Sequence, residues 1–302
     1  MTKKKIMVTG VAGFIGSAIA EKLLAFGYEV YGVDDLSSGE ISRIPKEVNL
    51  IEADLSKVSS LKKMPSKINY IMHLSGQSSG EMSFDDPILD LKKNTHSTLN
   101  LISYIIKNDV ESIIYASSMS VYGEVENTPI NEDYPTKPLS CYGVGKLASE
   151  NYLQIMLPKK NVTIMRMFNV YGPGQDLENL KQGMVSIYLS QALNTNKIEV
   201  KGSTERWRDF IYIDDVVDSW IKAINLQGQN IFNLGSGKKT FIKELLNEIK
   251  NNFPSSKIFI SDSTIGDQFG IYSDNSKIKK KLKISKFTSL KEGVKKFTDW
   301  ST

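Results

Sequence analysis

Lys5-Ile6-Met7-Val8-Thr9 runs directly into Gly10-Val11-Ala12-Gly13-Phe14-Ile15-Gly16, and the reading of this stretch decides the fold. The first five residues form a short β-branched run suited to a strand. Beyond the glycines, Ile15, Ile19, Leu23 and Phe26 share one face of a helix expected over Phe14–Phe26. Between strand and helix, glycine recurs at positions 10, 13 and 16. In such a turn Gly10 permits the tight bend, Gly13 lets backbone approach a pyrophosphate, and Gly16 lets helix pack on strand. The phosphates would then meet the N–H groups of Phe14 and Ile15 at the helix N-terminus. Glycine spacing alone is weak; its position between a strand and a helix predicts a dinucleotide site.

The next strand, Glu29–Asp34, ends in Asp34-Asp35. An acid about 20 residues beyond the turn accepts the ribose hydroxyls of NAD and repels the 2′-phosphate of NADP. No arginine lies nearby in sequence until Arg43, so the expected cofactor is NAD. A turn cap is the other reading of Asp34. Asp54, after the third strand, is expected to contact the adenine or, equally, to cap.

Working outward, strands are expected at Val48–Ala53, Tyr70–Leu74, Ser112–Ala116 and Val162–Phe168. Helices are expected over Ile88–Lys107 and Tyr142–Met156. This alternation predicts an α/β protein, a Rossmann-type doubly wound parallel sheet covered on both faces. Beyond Tyr171 the pattern loosens. Helices are expected at Leu180–Ala192, Asp214–Ile224, Phe241–Asn251 and Leu290–Trp300, with short strands at Ile198–Lys201 and Phe210–Ile213. Residues 1–170 read as an NAD-binding domain, with return segments near 208–234. Residues 171–302 read mostly as a small C-terminal substrate-binding lobe, with the site in the cleft between.

Composition narrows the class. The 302 residues are 40% apolar and 24% charged, with net charge +4, which is ordinary for a globular protein. Of 38 basic residues only Arg43, Arg166, Arg206 and Arg208 are arginine, which argues against a nucleic-acid reader. Runs such as Lys3–Lys5 and Lys279–Lys281 read as solvated lysines. A single cysteine, Cys141, rules out an internal disulfide and a zinc cluster and suits a reducing compartment. The N-terminus only partly imitates a signal peptide, because Gly10, Gly13 and Gly16 break the apolar stretch. No run of about 18 apolar residues exists, so no membrane span is expected. The expectation is a soluble cytoplasmic protein. His73 and His96 lack ligand-spaced partners, so no metal is expected, and His73 reads as a packing residue.

Tyr142-Gly143-Val144-Gly145-Lys146 places Tyr and Lys four apart on one helical face. Together with Thr9–Gly16, Asp34-Asp35, His73–Gly76, Asn94, Ser117–Gly123, Arg166–Pro173 and Arg208–Asp215, in that order along the chain, this resembles the extended short-chain dehydrogenase/reductase family. Within it the chain is most similar to nucleotide-sugar enzymes of the UDP-galactose 4-epimerase type. The resemblance implies Tyr142, Lys146 and Ser118 as the catalytic group, with Ser117 the neighbour that could be confused with Ser118. It implies that Leu74, Ser75, Gly76 and Phe168 line the nicotinamide side and that Asn94 bonds nearby backbone. Asn169, Arg208 (or Arg206) and Asp267 would meet a nucleotide-sugar diphosphate or ribose. Thr264 stands where several epimerases carry an arginine, and Ile271 corresponds to a gate against N-acetyl groups.

The chemistry fits these residue types. A free tyrosine, with a pKa of about 10, is too weak a base near neutrality. A neighbouring ammonium and a positive nicotinamide ring would lower it, so that the phenolate takes a sugar hydroxyl proton as hydride leaves. Family members that dehydrate carry an Asp-Glu pair after Ser118; here Met119-Ser120 cannot exchange protons in that way. Ser120 also stands where decarboxylating relatives have Glu. Met119 and Gly174 replace the Cys and His of C3/C5 epimerisation. What remains is 4-epimerisation, or one-way 4-dehydrogenation or 4-ketoreduction. A non-catalytic NAD-binding protein is the alternative class, against which Tyr142 and Lys146 argue. Ile88–Lys107 and Tyr142–Met156 carry apolar residues beyond one face, and the resemblance implies that such helices pair in a two-fold homodimer.

Overall fold

The computed structural model describes residues 3–180, 183–262 and 268–302. Six strands appear in chain order: β1 (Lys5–Thr9), β2 (Glu29–Asp34), β3 (Asn49–Glu52), β4 (Tyr70–His73), β5 (Ser112–Ser118) and β6 (Asn161–Met167). Gln229–Leu234 adds a seventh. The spatial order is Gln229–Leu234, β6, β5, β4, β1, β2, β3, and every neighbouring pair is parallel. The winding reverses at β1, leaving a crevice at its C-terminal end between β2 and β4, where such sheets bind ligands.

Both faces of the central strands are buried, as their near-continuous apolar runs require, while the edge strand β3 is largely exposed. Ile6, Val8 and Ile114 face one cluster with Ile19, Leu23 and Trp220. Met7, Ile113 and Tyr115 face the other, with Leu101, Ile105 and Leu153. Helix Ile213–Ala223 packs on helix Phe14–Ala25, so the chain returns to the sheet before making its seventh strand. Beyond the sheet, Asn169–Tyr171 pairs with Phe210–Tyr212 and Lys197–Lys201 with Lys257–Ser261.

Two helices differ from their expected spans. Ile88–Lys107 is not one helix: Pro87–Leu91 is α-helical, Lys92–His96 is a π-turn, and Ser97–Asn108 resumes the α-helix. Asn94 and Thr95 are buried there, and Thr95 donates to the Gly145 carbonyl at 3.1 Å. These tertiary contacts reward the widened turn; periodicity alone carries no sign of them. The helix expected at Leu180–Ala192 spans Met184–Thr195, capped by Gly183. Among the described residues no helix is long and apolar enough to cross a membrane.

Candidate active site

The glycine turn is built as its residues require. Gly10 adopts φ +70°, and a Cβ on it would lie 2.8 Å from the Ser75 nitrogen. A Cβ on Gly16 would lie 2.0 Å from the Gly10 carbonyl oxygen. Gly13 precedes the helix, and no side chain caps its first turn. That leaves a backbone cradle facing the crevice.

Asp34 is placed as the cap that one of its two readings expects. Its Oδ2 accepts from Ala12 N–H and its Oδ1 from Leu36 N–H, both at 2.9 Å. It therefore ties the glycine turn to the end of β2 as a cap, while each oxygen keeps a second lone pair for a ribose hydroxyl. Asp35 and Asp54 are brought together, and Lys93 from the π-turn lies between them.

At the other end of the crevice, Thr9 Oγ1 accepts from Leu74 N–H (3.2 Å), Ser75 N–H (3.1 Å) and the Ser75 hydroxyl (3.1 Å). Thr9 then reaches His73 Nδ1 at 2.8 Å, and His73 Nε2 reaches Thr98 Oγ1 at 3.0 Å. Thr98 donates to the Asn94 carbonyl at 2.7 Å, so Thr98 must accept from His73 Nε2–H and Nδ1 must accept from Thr9. His73 is fully buried and packs on the Tyr115 ring, as a packing residue should, and is in addition a polar link across the core. Burial pushes its pKa down to about 3, with the charge of Lys146 adding to this.

Gly76 adopts φ +152°, and a Cβ there would lie 2.3 Å from Asn94 Oδ1 and 3.6 Å from Lys146 Nζ. The 74–76 backbone therefore lies directly on these two groups. The Asn94 side chain does not bond backbone as expected: its Nδ2 donates to Asp90 Oδ1 at 2.9 Å. Asp90 also accepts from Gln77 Nε2 at 3.0 Å. A buried carboxylate draws the amide more strongly than a carbonyl does.

Helix Cys141–Met156 carries Tyr142 and Lys146; Ser140 caps it by accepting from Gly143 N–H at 3.1 Å. The Lys146 ammonium lies 5.6 Å from the Tyr142 ring centre and 5.2 Å from that of Tyr115. It donates to the Ala116 carbonyl at 3.0 Å. Burial lowers its pKa to about 8, opposed by the Asp90 and Glu150 carboxylates. Burial raises the Tyr142 phenol to about 12; a hydrogen bond with Ser118 pulls it down and Asp90 pushes it up. The two adjacent serines separate cleanly. Ser117 donates into the buried Glu150 carboxylate, whereas Ser118 faces Tyr142 and accepts from Ser120 N–H at 3.2 Å.

The residues expected to meet substrate are less uniform. Asn169 Nδ2 donates to the Asp209 carbonyl at 3.1 Å and lies beside Met119 Sδ. Arg208 is buried, and its guanidinium donates to the carbonyls of Trp207 (2.8 Å), Gln268 (2.7 Å) and Phe269 (3.3 Å). Arg206 is buried too and donates to the carbonyls of Ser203 and Lys201. Phe168 and Ile271 are buried in one apolar cluster with Val121, Tyr122 and Ile130. Asp267 and Thr264 lie outside the described residues. Among the described residues no group of three His, Cys, Asp or Glu is placed to hold a metal ion.

Sequence reading missed Asp90, Gln77, Lys93, Glu150 and the role of Arg166. Only Arg166 carried a signal, as one of few arginines and within the apolar run Ile164-Met165-Arg166-Met167. Its guanidinium pairs with Glu150 on helix Cys141–Met156, 2.7 Å from Oε2.

A glycine cradle at one end of a crevice, a Ser–Tyr–Lys group at the other and a buried, unpartnered Asn94 Oδ1 beside it suit a dinucleotide with a nicotinamide-type ring. Fold and site together define a dinucleotide-binding protein of the Rossmann class. The chain belongs to the NAD dependent epimerase/dehydratase family, whose model matches residues 6–235, and NAD is its cofactor. It is 32% identical over 312 residues to the UDP-glucose 4-epimerase of Mycolicibacterium smegmatis, covering 98% of each. Among solved structures, the UDP-glucose 4-epimerase of Thermotoga maritima with UDP-glucose matches with TM-score 0.95 and 32% identity over 98% of each chain. The UDP-glucose 4-epimerase of Thermus thermophilus in complex with NAD matches with TM-score 0.89 and 28% identity over 98% of each chain.

Proposed function

We propose that this chain is an NAD-dependent nucleotide-sugar 4-epimerase. The observation that carries the reading is the Ser118–Tyr142–Lys146 cluster with Met119 and Ser120, and no acid, in the turn that follows Ser118. Bound NAD supplies a hydride acceptor that can return what it takes. The protein's part is acid–base and positional. Tyr142 Oη takes the proton of the sugar C4 hydroxyl and later gives it back to the 4-keto oxygen. Ser118 hydrogen-bonds the same oxygen and fixes its distance from Tyr142. Lys146 stabilises the phenolate by its charge. Met119 and Ser120 offer no group to move protons at C5 or C6, so the sugar leaves with only its C4 configuration changed.

For the hydride to return to the opposite face, the 4-keto sugar must turn over while held by its nucleotide. Remote binding energy suits this task. The lobe within residues 171–302, with Asn169, Arg208 and Asp267, is the proposed nucleotide side. Exposed apolar side chains on the two helices beside the site, among them Ile88, Leu91, Val144 and Ile155, support a homodimer paired through these helices.

The experiment is to purify the protein, release and identify its cofactor, and supply UDP-glucose, UDP-GlcNAc or GDP-sugars. An epimeric product without net NADH is the expected result. Stoichiometric NADH would instead establish a 4-dehydrogenase.

A further inference from the structure

The adenosine end of the crevice holds a cation that no motif announces. Lys93 is remote in sequence from Asp35 and Asp54, yet its ammonium is hydrogen-bonded to Asp35 Oδ2 and lies 3.1 Å from Asp54 Oδ2. The other carboxylate oxygens are engaged as well. Asp35 Oδ1 accepts from the N–H and hydroxyl of Ser37, and Asp54 Oδ1 from those of Ser56. The three charged side chains are only 22%, 24% and 20% exposed. Burial opposes the charge on each. The acids nevertheless hold the Lys93 ammonium above its usual pKa, and Lys93 with the serine donors holds both acids below theirs. Lys57 is the other cation near this group, 4.0 Å from Asp54 Oδ2, but it is 70% exposed and solvent-screened.

We propose that Lys93 sets the cofactor specificity of this chain: it is a cation suited to a ribose 2′-phosphate, withheld from that role by the Asp35–Lys93–Asp54 bridge. The sheet supplies the placement. Asp34 ends β2, where the adenosine ribose of a dinucleotide lies, and it stands in register with Glu52 at the end of β3, two residues before Asp54. A 2′-phosphate there would meet three carboxylates, those of Asp34, Asp35 and Asp54, against one well-held ammonium. It would be repelled, whereas the uncharged hydroxyl of NAD is not. Asp34, held in place by Ala12 and Leu36, stands at the same ribose position, so the bridge acts beside that acid. Neutralising Asp35 and Asp54 leaves the ammonium free to pair with phosphate.

The proposal is independent of which sugar reaction the enzyme runs, because it is read from cofactor binding. Cofactor-free protein is titrated calorimetrically with NAD and with NADP. Three forms are compared: the wild type, Asp35→Asn/Asp54→Asn, and that pair combined with Lys93→Met. The wild type should favour NAD by about 100-fold or more, and the double variant should tighten NADP binding by about tenfold or more. The added Lys93→Met should abolish that gain. A wild type without preference for NAD, unchanged NADP affinity in the double variant, or a gain that survives loss of Lys93 overturns the proposal. Should the double variant not fold, Asp54→Asn alone must move NADP affinity the same way by about threefold. No gain there overturns it equally.

Discussion

The Lys146 ammonium is anchored to the Ala116 carbonyl at 3.0 Å while standing 5.6 Å from the centre of the Tyr142 ring. A backbone atom of β5 therefore sets where the charge sits beside the phenol. The helix spacing of four residues provides the pair; the neighbouring strand fixes its geometry.

This relationship has a pH signature. Without cofactor, burial holds Tyr142 at about 12 and Lys146 at about 8. Positive charge favours phenolate, so Lys146→Met should move the rising limb of the rate of C4 oxidation to higher pH by about one unit or more. Near neutrality the rate should fall by roughly 10²–10³-fold. In the wild type, loss of the Lys146 charge at alkaline pH removes that stabilisation, so the rate should turn down on the alkaline side. The variant should lack that descending limb. Tyr142→Phe should abolish activity without changing the melting temperature. pH–rate profiles of the three proteins check this.

The Glu150–Arg166 pair should be structural. Arg166 Nε and Nη2 lie 3.0 and 2.7 Å from the Glu150 oxygens, and Nη1 donates to Tyr122 and to the Glu132 carbonyl, each at 3.0 Å. The side chains are 5% and 1% exposed. Arg166→Met would strand a buried carboxylate and should cost roughly 3–5 kcal/mol. Adding Glu150→Gln should recover part of the loss. Urea denaturation of the single and double variants measures both.

His73 should make stability fall in acid. Its folded pKa is pushed down from 6.5 to about 3, so in that interval the unfolded chain binds more protons. The contribution is fully present above 6.5 and is lost as pH falls towards about 3. His73→Gln, which keeps a polar link without titrating, should flatten that part of the stability–pH curve. Unchanged slope in denaturation curves between pH 6.5 and about 3 would contradict the assignment.

Gly16→Ala should damage cofactor binding. Its Cβ would lie 2.0 Å from the Gly10 carbonyl oxygen, a backbone atom that cannot swing away. The helix must lift off the turn that cradles the pyrophosphate. NAD affinity should fall by about 100-fold, which is about 2.7 kcal/mol, as read by calorimetry.

Much of the sheet is legible in the sequence because its information is local. Strands β1 to β6 appear as short apolar runs, and the glycines at 10, 13 and 16 mark the first crossover. Asn169–Tyr171 escapes because three residues hold no period, and its partner, Phe210–Tyr212, lies far along the chain. The break at Lys92–His96 escapes for another reason. Its sequence is acceptable as α-helix, and the π-turn follows from what Asn94 and Thr95 touch.

The glycine turn, Asp34 and the Tyr142–Lys146 pair were determined by sequence alone, since each depends on spacing within one strand, turn or helix. That Ser117 turns to Glu150 while Ser118 turns to Tyr142 was decided by tertiary structure, because both partners lie on helix Cys141–Met156 and only the packing of that helix beside β5 selects which serine meets which. So were the Asp90–Asn94–Gln77 group and the Lys93 bridge to Asp35 and Asp54. Charges and amides pair across space according to burial and distance. Residues far apart in the chain become partners when the fold brings strand ends, turns and helices together at one edge of the sheet.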